Sequence, residues 1–408
     1  PIHTRLTLTP SWQRQREVRR VIVFTDDSWE TPSKVTRSDD VVNTVGMAVR
    51  GDTRLFARRL DLLYGADYAV DQVRSETSSG ATEDALLPGL PTYPEGSRFQ
   101  RFGLYALATG TLLRTERWLE LVLHGGARLA SFASLAPDIA EFGDVRIRHT
   151  GGVAAAGIHL RQRGKFAVGL GFDQGFRAPN LSETARVGDT GQWFEIPNPG
   201  LRPDRSDTLE LRTRFRAGPL TLGGAGYVSF LRDLVIRTPA SHGGQDEVLG
   251  TPVVQHVNAG SGRVVGVEAR VDVDLPLHLW IGGDLTWTRG DYEDPAVDWT
   301  PMSRIPPLFG TGRLRFAPPW PQLFVEVYVQ VAGAQRRLSP QDKSDLRIPA
   351  GGTDDWWTLN VRAGLRPIRW LQLSVSGANL TDNSYWIHGS GVAGSGASLS
   401  VVAEVLGG

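Results

Sequence analysis

Cysteine is absent from this 408-residue sequence. Disulfides, thiolate catalysis and cysteine-ligated metals are thereby excluded, while the compartment is left open. An excess of either charge is also absent, since Lys and Arg number 44 and Asp and Glu number 44. No net field therefore draws in nucleic acid or an acidic substrate. No run approaches the ~18 consecutive apolar residues of a membrane-spanning helix. Apolar residues at helical spacing are nearly absent, as are low-complexity tracts and short-period repeats of the propeller or solenoid kind. The chain starts at Pro1 without a basic-then-apolar leader, so it reads as a mature fragment with no signal peptide.

What is present is period-two alternation, repeated along the chain. From Val267 to Leu275, apolar Val267, Ala269, Val271, Val273 and Leu275 alternate with charged Glu268, Arg270, Asp272 and Asp274. Trp357, Leu359, Val361, Ala363 and Leu365 alternate with Thr358, Asn360, Arg362, Gly364 and Arg366, and Val325 to Val331 follow the same rule. Such runs are strands with one dry and one wet face, so the chain is all-β. The 47 glycines and 12 tryptophans supply turns and large amphipathic rings.

The connections alternate too. Brief ones fall near Gly51-Asp52-Thr53, Arg114 to Glu116, Arg161 to Gly164, Gly218-Pro219, Leu275-Pro276, Pro318 to Pro321 and Pro367 to Arg369. Long polar ones fall near Gln13 to Asp40, Val70 to Ser97, Ser131 to Asp144, Gly175 to Ser206, Arg237 to Ser261, Gly290 to Ser303, Ala334 to Thr353 and Thr381 to Ser395. A soluble sandwich also alternates dry and wet faces, but its loops are of mixed length at both ends. Tight turns on one rim and long loops on the other predict a transmembrane antiparallel up-and-down β-barrel of about 16 strands. In hydrocarbon every backbone N–H and C=O needs a partner, and a closed barrel supplies one.

The charges agree. Arg212, Arg214 and Arg216 share a face with Glu210, opposite Leu209, Leu211 and Phe215. Facing a watery lumen these arginines cost little, whereas on the lipid side each costs ~2–4 kcal/mol at the midplane. Trp118, Trp280, Trp287, Trp320, Trp357 and Trp370 lie at or near strand ends, where an aromatic girdle is expected.

One stretch carries a resemblance. "GFRAPNLSE" (175–183) followed by "NPGLRPDRSDTLEL" (198–211) is similar to the barrel signature of TonB-dependent outer-membrane receptors. "VNAGSGRVVGVEAR" (257–270), "RIPP" (304–307) and "NLTDNSYWIHGSGVAGSGASL" (379–399) follow in the family's order. Pro179 has no N–H and fixes φ, so the strand must end there, and a long outer loop begins. The resemblance implies a receptor of the bacterial outer membrane that imports a scarce nutrient of the siderophore-iron, cobalamin or oligosaccharide class. It implies lipid around the barrel and a small-molecule ligand at the outer loops. Energy would come from the TonB complex through a plug domain. No stretch of residues 1–408 reads as that plug, so the whole chain is expected to be barrel, part of a typically 22-stranded one. The alternatives are a passive porin-like channel and a soluble all-β binding protein.

Enzymatic readings find little. "GSGVAG" (389–394) fits the dinucleotide pattern G-x-G-x-x-G, but a strand rather than a helix follows it. The eight histidines are scattered without metal-ligand spacing, so no metal, cofactor or catalytic residue is expected. Glu268, Asp272 and Asp274 share their face with Arg270 and read as a lumen charge ladder rather than an acid/base set. The ligand-contact candidates are Arg177, Arg186, Trp193 and Phe194 in one long loop and Tyr385, Trp386 and His388 in another.

Overall fold

The computed structural model describes residues 3–24, 32–56, 59–89, 91–115, 119–139, 142–190, 193–248, 250–294, 298–319, 322–345 and 347–405. In chain order the strands are β1 (His3–Phe24), β2 (Pro32–Leu55), β3 (Leu60–Gly80), β4 (Leu87–Pro88), β5 (Arg98–Arg114), β6 (Leu119–Ile139), β7 (Gly143–Gln162) and β8 (Phe166–Arg177). Helix α1 (Leu181–Thr184) precedes β9 (Gly188–Asp189), β10 (Phe194–Ile196), β11 (Asp204–Ala217), β12 (Leu220–Arg232), β13 (Val235–Pro239), β14 (Glu247–Val248) and β15 (Thr251–Asn258). There follow β16 (Ser261–Leu275), β17 (Leu279–Asp294), β18 (Asp298–Pro301), β19 (Phe309–Phe316), β20 (Phe324–Ala332), helix α2 (Pro340–Ser344), β21 (Trp356–Ile368), β22 (Leu371–Ala378) and β23 (Ser398–Val405).

Eighteen strands form one antiparallel sheet, and its two short branches β4 and β18 leave a wall of sixteen in up-and-down order. Each wall strand pairs with its chain neighbours, from β1·β2 through β8·β11 and β12·β16 to β22·β23. The predicted β-barrel architecture is therefore present. Among the described residues, however, β1 pairs only with β2 and β23 only with β22, so the sheet has two free edges.

The alternation separates the faces as expected. Leu209, Leu211 and Phe215 are exposed on the outer face, as are Val267 and Val271. On the other face Arg270 Nε donates to Asp272 Oδ2 at 2.8 Å, and Arg212 Nη2 to Glu210 Oε2 at 2.8 Å. An apolar face of this extent is what lipid requires of a sheet and water does not tolerate. Of the girdle candidates, Trp287, Trp357 and Trp370 are exposed, whereas Trp118 and Trp320 lie outside the described residues. Trp280 departs from the expectation. It stands opposite Asp274 and Arg315, so it faces the lumen.

Several connections expected as loops are strand. β1 and β2 stay in register from His3↔Arg54 to Val23↔Lys34, and β6 and β7 remain paired as far as Ile139↔Gly143. Ladder hydrogen bonds do not need an apolar face, so the hairpins extend past the level where alternation ends. Gly51 is likewise inside β2 and not in a turn. A Cβ there would stand 2.6 Å from the Tyr64 ring, which explains the glycine.

The buried apolar cluster belongs to this layer beyond the wall. Ala136, Ile139 and Val145 of the extended β6–β7 hairpin pack against Leu181 and Ala185 at α1. A second sheet, β13-β15-β10-β9 with β14 on β15, is built entirely from long-loop residues.

Candidate functional site

The site is assembled from the turn that ends β8. Asn180 caps α1: its Oδ1 accepts from Glu183 N at 3.0 Å, while Glu183 Oε2 accepts from Asn180 N at 3.0 Å. Glu183 also accepts from Arg177 Nη1 at 2.8 Å, and Arg177 Nε donates to Asp204 Oδ2 at 2.7 Å. Asp204 Oδ1 in turn accepts from Val235 N at 3.2 Å, so this knot fixes the start of β13.

A second knot lies in the five-stranded sheet. Glu195, 2% exposed, accepts from Arg237 Nη2 at 2.7 Å, with Arg186 Nε at 3.6 Å from its other oxygen. His256 is nearby, and burial lowers its pKa so that the ring stays neutral at pH 7. A third knot holds α2. Burial works to raise the pKa of Asp342, but hydrogen bonds from Ser303 Oγ, Ser339 N and Arg304 N outweigh it and hold the carboxyl below its usual value. Arg304 Nη2 donates to Asp345 Oδ2 at 2.7 Å.

Between the three knots is a cavity of about 450 Å³, within the usual range for small-molecule sites. Trp193, Leu234, Ile236, Val254, His256 and Met302 are among its lining residues. Of the seven expected contact residues, only Trp193 lines it. Arg177 and Arg186 are held in the knots, and the Phe194 ring packs on His242 at 5.6 Å.

The other three stand in the β22–β23 loop. The Tyr385 ring lies 4.5 Å from that of Trp356, and Trp386 is half-exposed and bridges Ala393. His388 Nδ1 is 2.8 Å from Thr353 Oγ1, and burial lowers its pKa. The glycines of "GSGVAG" serve this loop: Gly389 and Gly391 have positive φ, and a Cβ on Gly394 would stand 2.2 Å from the Tyr385 ring. A Cβ on Gly389 would stand 3.5 Å from Arg304 Cγ, so the loop backs the α2 knot, and none of its residues lines the cavity. Among the described residues no group of three metal-ligating side chains occurs.

The sequence model of the family "TonB dependent receptor-like, beta-barrel" matches residues 4–380. The chain belongs to the TonB-dependent receptor family. Members are transport proteins of the bacterial outer membrane and not enzymes. No curated protein matches the chain in sequence. Among solved structures, "Copper transporter OprC" superposes with a TM-score of 0.78 at 16% identity, over 98% of this chain and 62% of its own. The FrpB iron transporter from Neisseria meningitidis (F3-3 variant) gives 0.67 at 14%, over 98% and 69%. The ferric yersiniabactin uptake receptor FyuA from Yersinia pestis gives 0.62 at 16%, over 97% and 56%. The chain thus spans under two thirds of the first of these receptors, and the likeness at such identities is one of fold.

In this receptor the signature residues do structural work. Asn198 Nδ2 donates to His256 O at 2.8 Å, and Asn258 Nδ2 to Asp233 O at 2.7 Å. Asn379 Nδ2 donates to Ser395 O at 3.0 Å and closes the last long loop. These residues tie loops to each other, while the cavity lining lies outside most of the signature.

Proposed function

We propose that residues 1–408 belong to the barrel domain of a receptor that imports a scarce nutrient across the bacterial outer membrane. Siderophore-iron, cobalamin and oligosaccharide remain the nutrient classes, and energy comes from the TonB complex acting through a plug domain. The observation that carries this reading is the half-open cavity between three loop knots on the long-loop rim of a family barrel. The free edges of β1 and β23 support the view that these strands form part of a larger barrel.

In this reading the long loops face the cell exterior. Trp193 contacts the ligand, Trp386 meets it at the loop surface, and Arg177, Arg186, Phe194, Tyr385 and His388 set the shape of the loops. The test is uptake by cells producing the full-length receptor, over a panel of the three nutrient classes, with and without TonB. Saturable, TonB-dependent uptake that Trp193→Ala lowers at unchanged surface level is expected. Non-saturable uptake indifferent to TonB would replace this reading with a passive channel.

A further inference from the structure

Every charged group at the cavity already has a partner. Glu183 accepts from Arg177 through both oxygens, at 2.8 and 2.9 Å. Arg237 is bound to Glu195, whose other oxygen has no hydrogen bond and only Arg186 at 3.6 Å. Over the two knots Arg177, Arg186 and Arg237 balance Glu183, Asp204 and Glu195. At the α2 end the guanidinium groups of Arg304 and Arg347 both bind Asp345, Asp342 accepts from Ser303 Oγ, Ser339 N and Arg304 N, and Lys343 of α2 is exposed and is not among the lining residues.

A charged ligand would compete for a residue of one of these pairs, an anion with Glu195 for Arg237 or a cation with Arg177 for Glu183. Drawing Arg237 away would leave the almost fully buried Glu195 with one distant cation, and drawing Glu183 away would loosen the start of the loop. Removing one partner from a buried pair costs more than a new ion pair in a half-open site returns. The walls point the same way: Trp193, Leu234, Ile236, Val254 and Met302 are apolar. Gln341 is exposed at the edge, and His256 can donate or accept without carrying charge.

We infer that this cavity takes an uncharged, partly apolar solute, and that bare metal ions and polyanionic chelates are excluded from it. The inference rests on the chain being an uptake receptor, and it narrows the substrate class. Trp193 reads occupancy from within, as an energy donor.

The test uses the purified full-length receptor in amphipol and two probes of similar shape: uncharged N-phenyl-1-naphthylamine and anionic 1-anilinonaphthalene-8-sulfonate. The component of interest is the saturable energy transfer that Trp193→Phe removes. It should be present for the neutral probe and about tenfold weaker for the sulfonate. Glu195→Gln frees Arg237, and the sulfonate should then gain about tenfold, a gain that misfolding cannot produce. Ile236→Glu should abolish binding of the neutral probe. Equal or tighter binding of the sulfonate by the unmodified receptor overturns the inference and leaves uptake through this cavity standing. No Trp193-dependent binding of either probe overturns it too, whereas failure of TonB-dependent uptake with neutral-probe binding intact overturns only the functional reading.

Discussion

Ser303 Oγ donates to Asp342 Oδ1 at 2.7 Å across 39 residues of chain. The bond joins the segment after β18 to the first turn of α2, two walls of one cavity. Asp342 is 1% exposed and also accepts from Ser339 N and Arg304 N, each at 3.0 Å. Asp342→Ala would strand those donors, at a local cost of about 2–3 kcal/mol for charge-assisted bonds. Limited proteolysis between residues 334 and 353 should accelerate severalfold, while heat-modifiable migration of the barrel stays unchanged. Cleavage at the unmodified rate would remove Asp342 from this role.

The wall predicts a contrast between adjacent residues. Val271 is exposed on the outer face, and Asp272 is bound to Arg270 on the inner one. Val271→Arg puts a guanidinium into lipid at ~2–4 kcal/mol near the midplane, and Asp272→Arg puts one into the lumen beside Arg270. The first variant should assemble into membranes much less than the second. Equal yields, measured by outer-membrane fractionation, would contradict the assignment of faces.

How far the sequence could be read follows from which solvent each residue meets. Lipid on one side and water on the other impose a period of two, so the alternation alone puts Val267 to Leu275 and Leu209 to Arg216 on the correct faces. Beyond the bilayer both faces meet protein or water and the period fades, which is why Ser131 to Ile139 reads as loop yet forms strand. Trp280 reads as girdle because strand position alone carries no facing, whereas its register opposite Arg315 does. The cavity was the least legible part. Glu195 and Arg237 are 42 residues apart and pair across an irregular layer, and no spacing rule anticipates such a contact.

Two histidines in that layer make its stability depend on pH. Burial lowers the pKa of both His256 and His388 below the ordinary 6.5. A neutral ring in the folded layer and a protonatable one in the unfolded chain mean that unfolding takes up protons. The stabilisation is therefore complete above about pH 6.5 and is lost as pH falls through the folded-state values. The protection factors of residues 251–258 and 385–394, with the intrinsic pH dependence of exchange divided out, should be lower at pH 5.5 than at pH 7.5. His256→Asn and His388→Asn should each flatten that dependence in their own segment; an unchanged slope in both would refute it.

Topology supplies a further test. If the β8–β11 connection faces the exterior, a label added to intact cells reaches a cysteine placed at Trp193. One placed at Gly218, in the tight β11–β12 turn, should stay protected until the outer membrane is opened. Residues 1–408 contain no cysteine, so they add no labelling background of their own. The reverse pattern would invert the receptor in the membrane.

A polypeptide of these 408 residues alone should not transport actively. Coupling in the family runs through a plug within the lumen, and the described residues form wall strands and loop-layer elements. Sixteen strands closing on themselves would enclose an aqueous channel of roughly porin size. Closure would have to join β1, with 22 residues, to β23, with eight, leaving most of the β1 edge unpaired. The polypeptide should therefore either fail to insert or conduct ions in planar bilayers with large, unstable steps. Uptake by cells producing it should not respond to loss of TonB or collapse of the proton-motive force. Saturable uptake that disappears with TonB would place a complete transporter within these residues.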